Sequence, residues 1–159
     1  MSRPPALDWS VDNCSVGRTL AIVGEKWSLL VLREVFQGIR RFEDMQRRTG
    51  IPRQVLSARL SHLVDEQILR RESYREPGQR ERHEYRLTQK GIDLHPVLVS
   101  LLAWGDAYAS DLEGPSIELY HKDCGAPVAL ALRCSGGHVA LTARDVRARP
   151  GPAARRRSA

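Results

Sequence analysis

The sequence predicts a mainly α domain carrying one small β-hairpin (α+β), and three observations lead there. Apolar residues recur at three- and four-residue intervals in four successive segments before residue 65. Gly24, Gly38 and Gly50 separate those segments at positions suited to ending helices. Beyond Ile68-Leu69 the period shifts towards that of strands, around a single Pro-Gly turn.

The bulk properties set the frame. A chain of 159 residues has room for one ordinary domain and a modest appendage, and a hydrophobic share of 42% supports a real core. The formal net charge is +6, and the sequence pI of about 9.7 is in the range typical of nucleic-acid-binding domains. Arg155, Arg156 and Arg157 supply half of that excess, so charge alone decides nothing. Cys14, Cys124 and Cys134 form no even framework of the secreted kind. The start, Met1 to Trp9, lacks the apolar run of a signal peptide, and the longest greasy stretch, Pro96 to Ala103, is too short to cross a bilayer. A cytoplasmic protein with no membrane association is expected.

Residues 1–11, with Arg3-Pro4-Pro5, read as a flexible arm. Asp12 or Asn13 is a candidate cap for a first helix bearing Val16, Leu20 and Val23. A second helix runs through Trp27, Leu30, Val31 and Val35 to Gly38. A short third helix starts at Arg41-Phe42, with Phe42 and Met45 towards the core, and ends at Gly50. Ile51-Pro52 opens the fourth at once, because proline suits a first helical turn. Strands at 70–75 and 84–87 flank Glu76-Pro77-Gly78-Gln79-Arg80. Thr88 then caps a long helix at 88–112, in which Pro96 demands a kink or a break. Gly114-Pro115 closes the main domain, 12–113. The extension 114–149 holds a small hairpin, Val128 to Leu132 against Val139 to Thr142, and the basic tail 150–159 is expected to be disordered.

Three helices, a turn, a fourth helix and a basic two-stranded wing make a winged helix-turn-helix. The turn Thr49-Gly50-Ile51 needs a residue that tolerates a left-handed backbone, which glycine does without steric cost. The fourth helix carries Leu56, Leu60, Leu63 and Val64 on one stripe. Opposite lie Gln54, Ala58 and Ser61, with Ser57 and His62 at the edges. An ordinary solvated helix would carry Glu and Lys there; small polar side chains instead allow entry into a major groove about 12 Å wide. Arg53 and Gln54 are the candidates for base contacts, since arginine pairs with guanine and glutamine with adenine. Ser57 and Ser61 suit bases or phosphates, and Arg59, nearer the buried stripe, can reach the backbone. Arg75, Gln79, Arg80 and Arg82 of the wing suit phosphate or minor-groove contact. Between Arg40 and Lys90, thirteen Lys or Arg stand against eight Asp or Glu, which favours a polyanionic partner over a merely solvated edge. Double-stranded DNA is the expected partner.

The stretch from Cys14 to Asp106 resembles the HxlR-type family of bacterial winged-helix regulators. The residues carrying the resemblance are Cys14 with Val16, Gly24-Glu25-Lys26-Trp27-Ser28-Leu29-Leu30, Leu32-Arg33-Glu34, Arg41-Phe42, Leu56-Ser57-Ala58-Arg59-Leu60, Glu84-Tyr85-Arg86-Leu87-Thr88, Lys90-Gly91 and Trp104-Gly105. Pro52 departs from the pattern, since members often place a serine or similar cap there. The resemblance implies a homodimer built from the first helix and the helix at 88–112, bound to a palindromic operator with half-sites ~34–36 Å apart. It further implies a transcriptional regulator, with repression the expected sense. In some members a cysteine at the position of Cys14 senses oxidants or electrophiles, which suits a thiolate near a helix N-terminus; a small effector is the alternative control, and inert packing the plain one.

His121-x2-Cys124-Gly125 and Cys134-x3-His138 supply residue types that bind zinc. Gly137 stands where relatives with a similar extension place the second cysteine of a pair. The irregular spacing favours no cofactor and a metal-free hairpin, with His121, Cys124, Cys134 and His138 the only candidate zinc ligands. No phosphate loop, paired-carboxylate motif or nucleophile signature supports an enzyme. Two alternatives to a DNA-binding regulator are weighed: a winged-helix module used for protein interaction, and a thiol-dependent enzyme using Cys14 or Cys124.

Overall fold

The computed structural model describes residues 8–78 and 80–157. Four helices come first: α1 (Ser15–Val23), α2 (Lys26–Phe36), α3 (Phe42–Thr49) and α4 (Arg53–Asp65). Strands β1 (Leu69–Tyr74) and β2 (Arg82–Leu87) form an antiparallel pair in register Leu69↔Leu87 to Tyr74↔Arg82, and α5 (Gln89–Ile92) and α6 (His95–Tyr108) follow. β1 begins and ends one residue earlier than expected, and β2 begins two residues earlier, next to the turn. The described residues separate into two compact units: those up to Leu94 together with those from Pro150 onward, and His95–Arg149. That division falls between α5 and α6, whereas the sequence places the domain edge at Gly114-Pro115.

The core of the first unit is built where the helical stripes converge. Val31, Leu32, Met45, Ile51, Leu56, Leu60 and Leu63 are sealed from solvent, as are Ile68 and Leu69 where the chain enters the wing. Each such side chain stabilises the fold by about 1.5–3 kcal/mol relative to exposure. Local chemistry sets the helix ends. The Glu25 carboxylate accepts from the N–H groups of Trp27 and Ser28 and so caps α2. Gly50 closes α3 at φ +68°. α4 ends as Ile68 N–H donates to the Leu63 carbonyl and Gln67 N–H to that of Val64, a Schellman arrangement that holds Gln67 at φ +57°.

Buried Glu34 was not expected. Its carboxylate lies at 0% exposure and meets Arg33 Nη2 at 2.6 Å and Arg48 Nε at 2.7 Å, tying α2 to α3. α1 is also not the core helix its periodicity suggests. Only Val23 is buried, while Val16 and Leu20 face solvent, and Cys14 rather than Asp12 or Asn13 occupies the N-cap, with no side-chain bond.

The helix expected at 88–112 is broken, because α5 ends at Ile92 and α6 opens at His95 with Pro96 in its first turn. It stops at Tyr108. In the second unit the predicted hairpin survives only as a turn. Leu141 N–H donates to Leu132 O and Cys134 N–H to His138 O, but a lone bridge, Arg133↔Val139, is all that forms, and the described residues there contain no regular strand. A second bridge, Tyr120↔Pro127, was not foreseen.

The tail corrects another expectation. Ser10 N–H donates to Arg155 O, Arg157 N–H to Asp8 O and Asn13 Nδ2 to Ala153 O, and the Arg156 guanidinium lies over the Trp9 ring. A cationic segment beside an aromatic side chain and free backbone groups found partners that composition could not reveal. Residues 1–7, the greater part of the expected arm, lie outside the described residues.

Candidate nucleic-acid interface

The turn between α3 and α4 presents the fourth helix. Ile51 is buried, Pro52 sits extended at the N-cap, and Leu56, Leu60 and Leu63 fix one side of α4 at 0% exposure. With that stripe locked, helical geometry sends Arg53, Gln54, Ser57 and Ala58 to solvent. The exposed patch contains one cation, one amide, one hydroxyl and one methyl group, and no acidic side chain. Arg59 is half-buried, as its place near the leucine stripe requires.

Two candidates are partly engaged within the chain. The Arg53 guanidinium lies 4.8 Å from the centroid of Phe42, which is only half-buried rather than a core residue, so the first turn of α4 is braced against α3. Ser61, also half-buried, accepts from Arg71 Nη2 at 3.3 Å. Sequence reasoning passed over Arg71. The signal was the two-residue period of β1, which puts Arg71 on the same face as buried Leu69 and therefore towards α4.

The wing is docked rather than loose. Tyr85 N–H donates to Arg40 O, and Arg41 bridges to Glu84 in the ladder. The Arg41 side chain stacks over Tyr74 at 4.3 Å and donates to Glu76 at 2.7 Å. That hydrogen bond raises the Arg41 pKa above its ordinary value, as the Glu84 bond does for Arg86. Along one wing face, Arg70, Glu72, Glu84 and Arg86 neutralise one another. Arg80 and Arg82 stand outside this network, exposed and without an ion pair among the described residues, and Arg75 is exposed nearby. Gln79, also a candidate, lies outside the described residues. One further link reaches the rear of α4: His62 Nε2 donates to Ile22 O at 2.9 Å, joining the fourth helix to the end of α1.

Cys14, Cys124 and Cys134 are exposed free thiols. The four candidate zinc ligands form two separate pairs: His121 Nδ1 to Cys124 Sγ at 3.2 Å, and Cys134 Sγ to His138 Nδ1 at 3.2 Å. Among the described residues, no group of three or more His, Cys, Asp or Glu is placed to hold a metal ion. No described helix is long and apolar enough to cross a membrane.

A helix with a sealed rear and a small polar front, flanked by a docked basic ribbon, is the arrangement of a winged helix-turn-helix. The family model for the HxlR-like helix-turn-helix matches residues 22–113, more than half the chain. The chain belongs to the HxlR-like family. An HTH-type transcriptional regulator of Mycobacterium tuberculosis is 48% identical to this HxlR-like chain over 138 residues, 87% of this chain and 86% of the relative. The HTH-type transcriptional regulator YdeP of Bacillus subtilis is 29% identical over 116 residues, 70% of this chain and 89% of its own. Among solved structures, the transcription factor PA1607 superposes with a TM-score of 0.77 at 34% identity, covering 88% of this chain and 96% of that one. The redox regulator HypR in its reduced form superposes at 0.53 with 28% identity, over 62% of this chain and 96% of that one. The protein is a transcriptional regulator with a helix-turn-helix DNA-binding fold, and the curated relatives it matches are regulators rather than enzymes.

Proposed function

We propose that the protein acts as a cytoplasmic homodimeric repressor on a palindromic operator, with α4 in the major groove and the wing against the phosphates or minor groove. The observation that carries this reading is the outer face of the first two turns of α4, where Arg53, Gln54, Ser57 and Ala58 are exposed without one carboxylate, the exposed Asp65 standing only in the last turn. A surface that reads base edges needs donors, acceptors and little bulk, and α4 offers all three. Arg80 and Arg82, exposed and without an ion pair among the described residues, are suited to phosphates.

Two apolar surfaces support dimerisation. Along α6, Val97, Leu101, Trp104 and Tyr108 recur on one side with exposures of 41 to 76%, and on α1 Val16 and Leu20 stand open. Monomers rarely leave such contiguous stripes in water, and buried aromatic anchors dominate interface energies. A dimer seated over a promoter would exclude polymerase, hence repression. Control through Cys14 is part of the proposal: the thiol is exposed at the cap of α1, where a disulfide or adduct would disturb a dimer-forming helix. The likeness to a redox regulator supports it.

Fluorescence anisotropy with the protein's own upstream region tests the reading. Arg53→Ala or Gln54→Ala should relax sequence choice at one or two base pairs, costing about 1–3 kcal/mol each. Arg80→Ala or Arg82→Ala should weaken all sequences alike and lower the salt slope by about 1. Negligible, salt-insensitive affinity would instead favour the protein-interaction alternative.

A further inference from the structure

α6 is apolar on two opposite sides. At about 100° per residue, the stripe Val97 to Tyr108 occupies one side, and Val99, Leu102, Ala103 and Asp106 the other. The second side forms a wall of a cleft of about 780 Å³, completed by the 115–130 segment of the same compact unit, Glu118 and Tyr120 included. That volume suits a small organic molecule, and the lining is the mixture such sites use: mostly apolar surface with a few polar groups. Its charged residues are Asp106 and Glu118, both acidic. Neither carboxylate has a hydrogen-bond or ion-pair partner among the described residues.

We infer that this cleft binds an amphipathic organic cation, its apolar body against α6 and its positive charge facing Asp106 and Glu118. Two uncompensated carboxylates beside an apolar wall repel anions and favour a cation over a neutral molecule of equal shape. A bare metal ion is a poor match, because among the described residues no third ligand stands nearby. The stripe proposed for dimerisation lies across the helix, so dimer formation leaves the cleft free. Use of the ligand as a regulatory effector rests on the DNA-binding reading; its binding does not.

Calorimetry on the full chain, without DNA, separates the two. Tetraphenylphosphonium is the probe and tetraphenylborate the anion of matching shape. The phosphonium should bind once per chain and roughly tenfold or more tighter than the borate, the scale of a charge-assisted contact. Asp106→Asn with Glu118→Gln should erase that preference while circular dichroism stays unchanged. Sedimentation should show the cation bound to the dimer. Equal affinity for both ions, no binding of either, a preference that survives the double substitution, or binding confined to monomer would overturn the inference. The last outcome would mean that a second copy fills the cleft.

Discussion

Replacing Gly91 by alanine examines the junction between the wing and α5, where the backbone approaches closest. A Cβ at Gly91 would lie 2.3 Å from the Ile68 carbonyl oxygen and 3.0 Å from Leu87 Cδ2. Ordinary contact begins near 3.4 Å, so the carbonyl or the helix must move by about 1 Å. That carbonyl is not free to move. It accepts from Thr88 N–H at 3.0 Å, while the Thr88 hydroxyl donates to the adjoining Gln67 carbonyl at 2.6 Å and caps the Gly91 N–H. Overpacking of this kind costs about 1–3 kcal/mol, and a disturbed cap about 1 more. Gly91→Ala should therefore lower stability by roughly 2–4 kcal/mol, read as a shifted midpoint in urea at constant slope. Gly17→Ala is the internal control. It is helical, its added Cβ meets only Cys14 Cβ at 3.9 Å, and it should gain about 0.5–1 kcal/mol. If Gly91→Ala unfolds within about 0.5 kcal/mol of the parent, a threshold typical of neutral surface changes, the close-approach argument fails.

Glu34→Ala should destabilise the first unit by about 1–3 kcal/mol in the same assay, less than a fully buried pair would lose, because Arg33 and Arg48 are 43% and 49% exposed and regain water. Trp104→Ala with Tyr108→Ala should shift sedimentation velocity towards monomer; an unchanged boundary at low micromolar concentration would remove α6 from the interface. Thr142 donates to Asp145 through both its hydroxyl and its backbone N–H, and these bonds hold the Asp145 carboxyl below its ordinary 3.8. With the folded pKa depressed, the turn's contribution is present above the unfolded value and is lost as pH falls through the folded one. In a carboxylate NMR titration, Thr142→Ala should move the Asp145 midpoint upward, and a midpoint that stays in place would contradict this account.

Much of the exposed face of α4 was legible from the sequence alone. Once Leu56, Leu60 and Leu63 occupy one stripe, the 3.6-residue period leaves no freedom about where Gln54, Ser57 and Ala58 point. The turn at Gly50 was equally plain, since few residues other than glycine adopt φ +68° cheaply. The engagement of Ser61 by Arg71 and of Arg53 with Phe42 was not legible, because each joins elements whose approach depends on how helices and wing dock.

By itself, then, the amino-acid order determined whatever follows from local periodicity and backbone preference: the helices, the break demanded by Pro96, the wing and the exposed face of α4. Tertiary structure decided matters that require two distant segments to meet. It buried Glu34 between two arginines, paired the tail with residues 8–13, kept the His–Cys pairs apart and left α1 and α6 apolar in water. The physical reason is that a hydrophobic stripe encodes a need for burial without naming the surface that meets it, whereas charges and hydrogen-bond groups acquire partners only when packing brings them within a few ångströms.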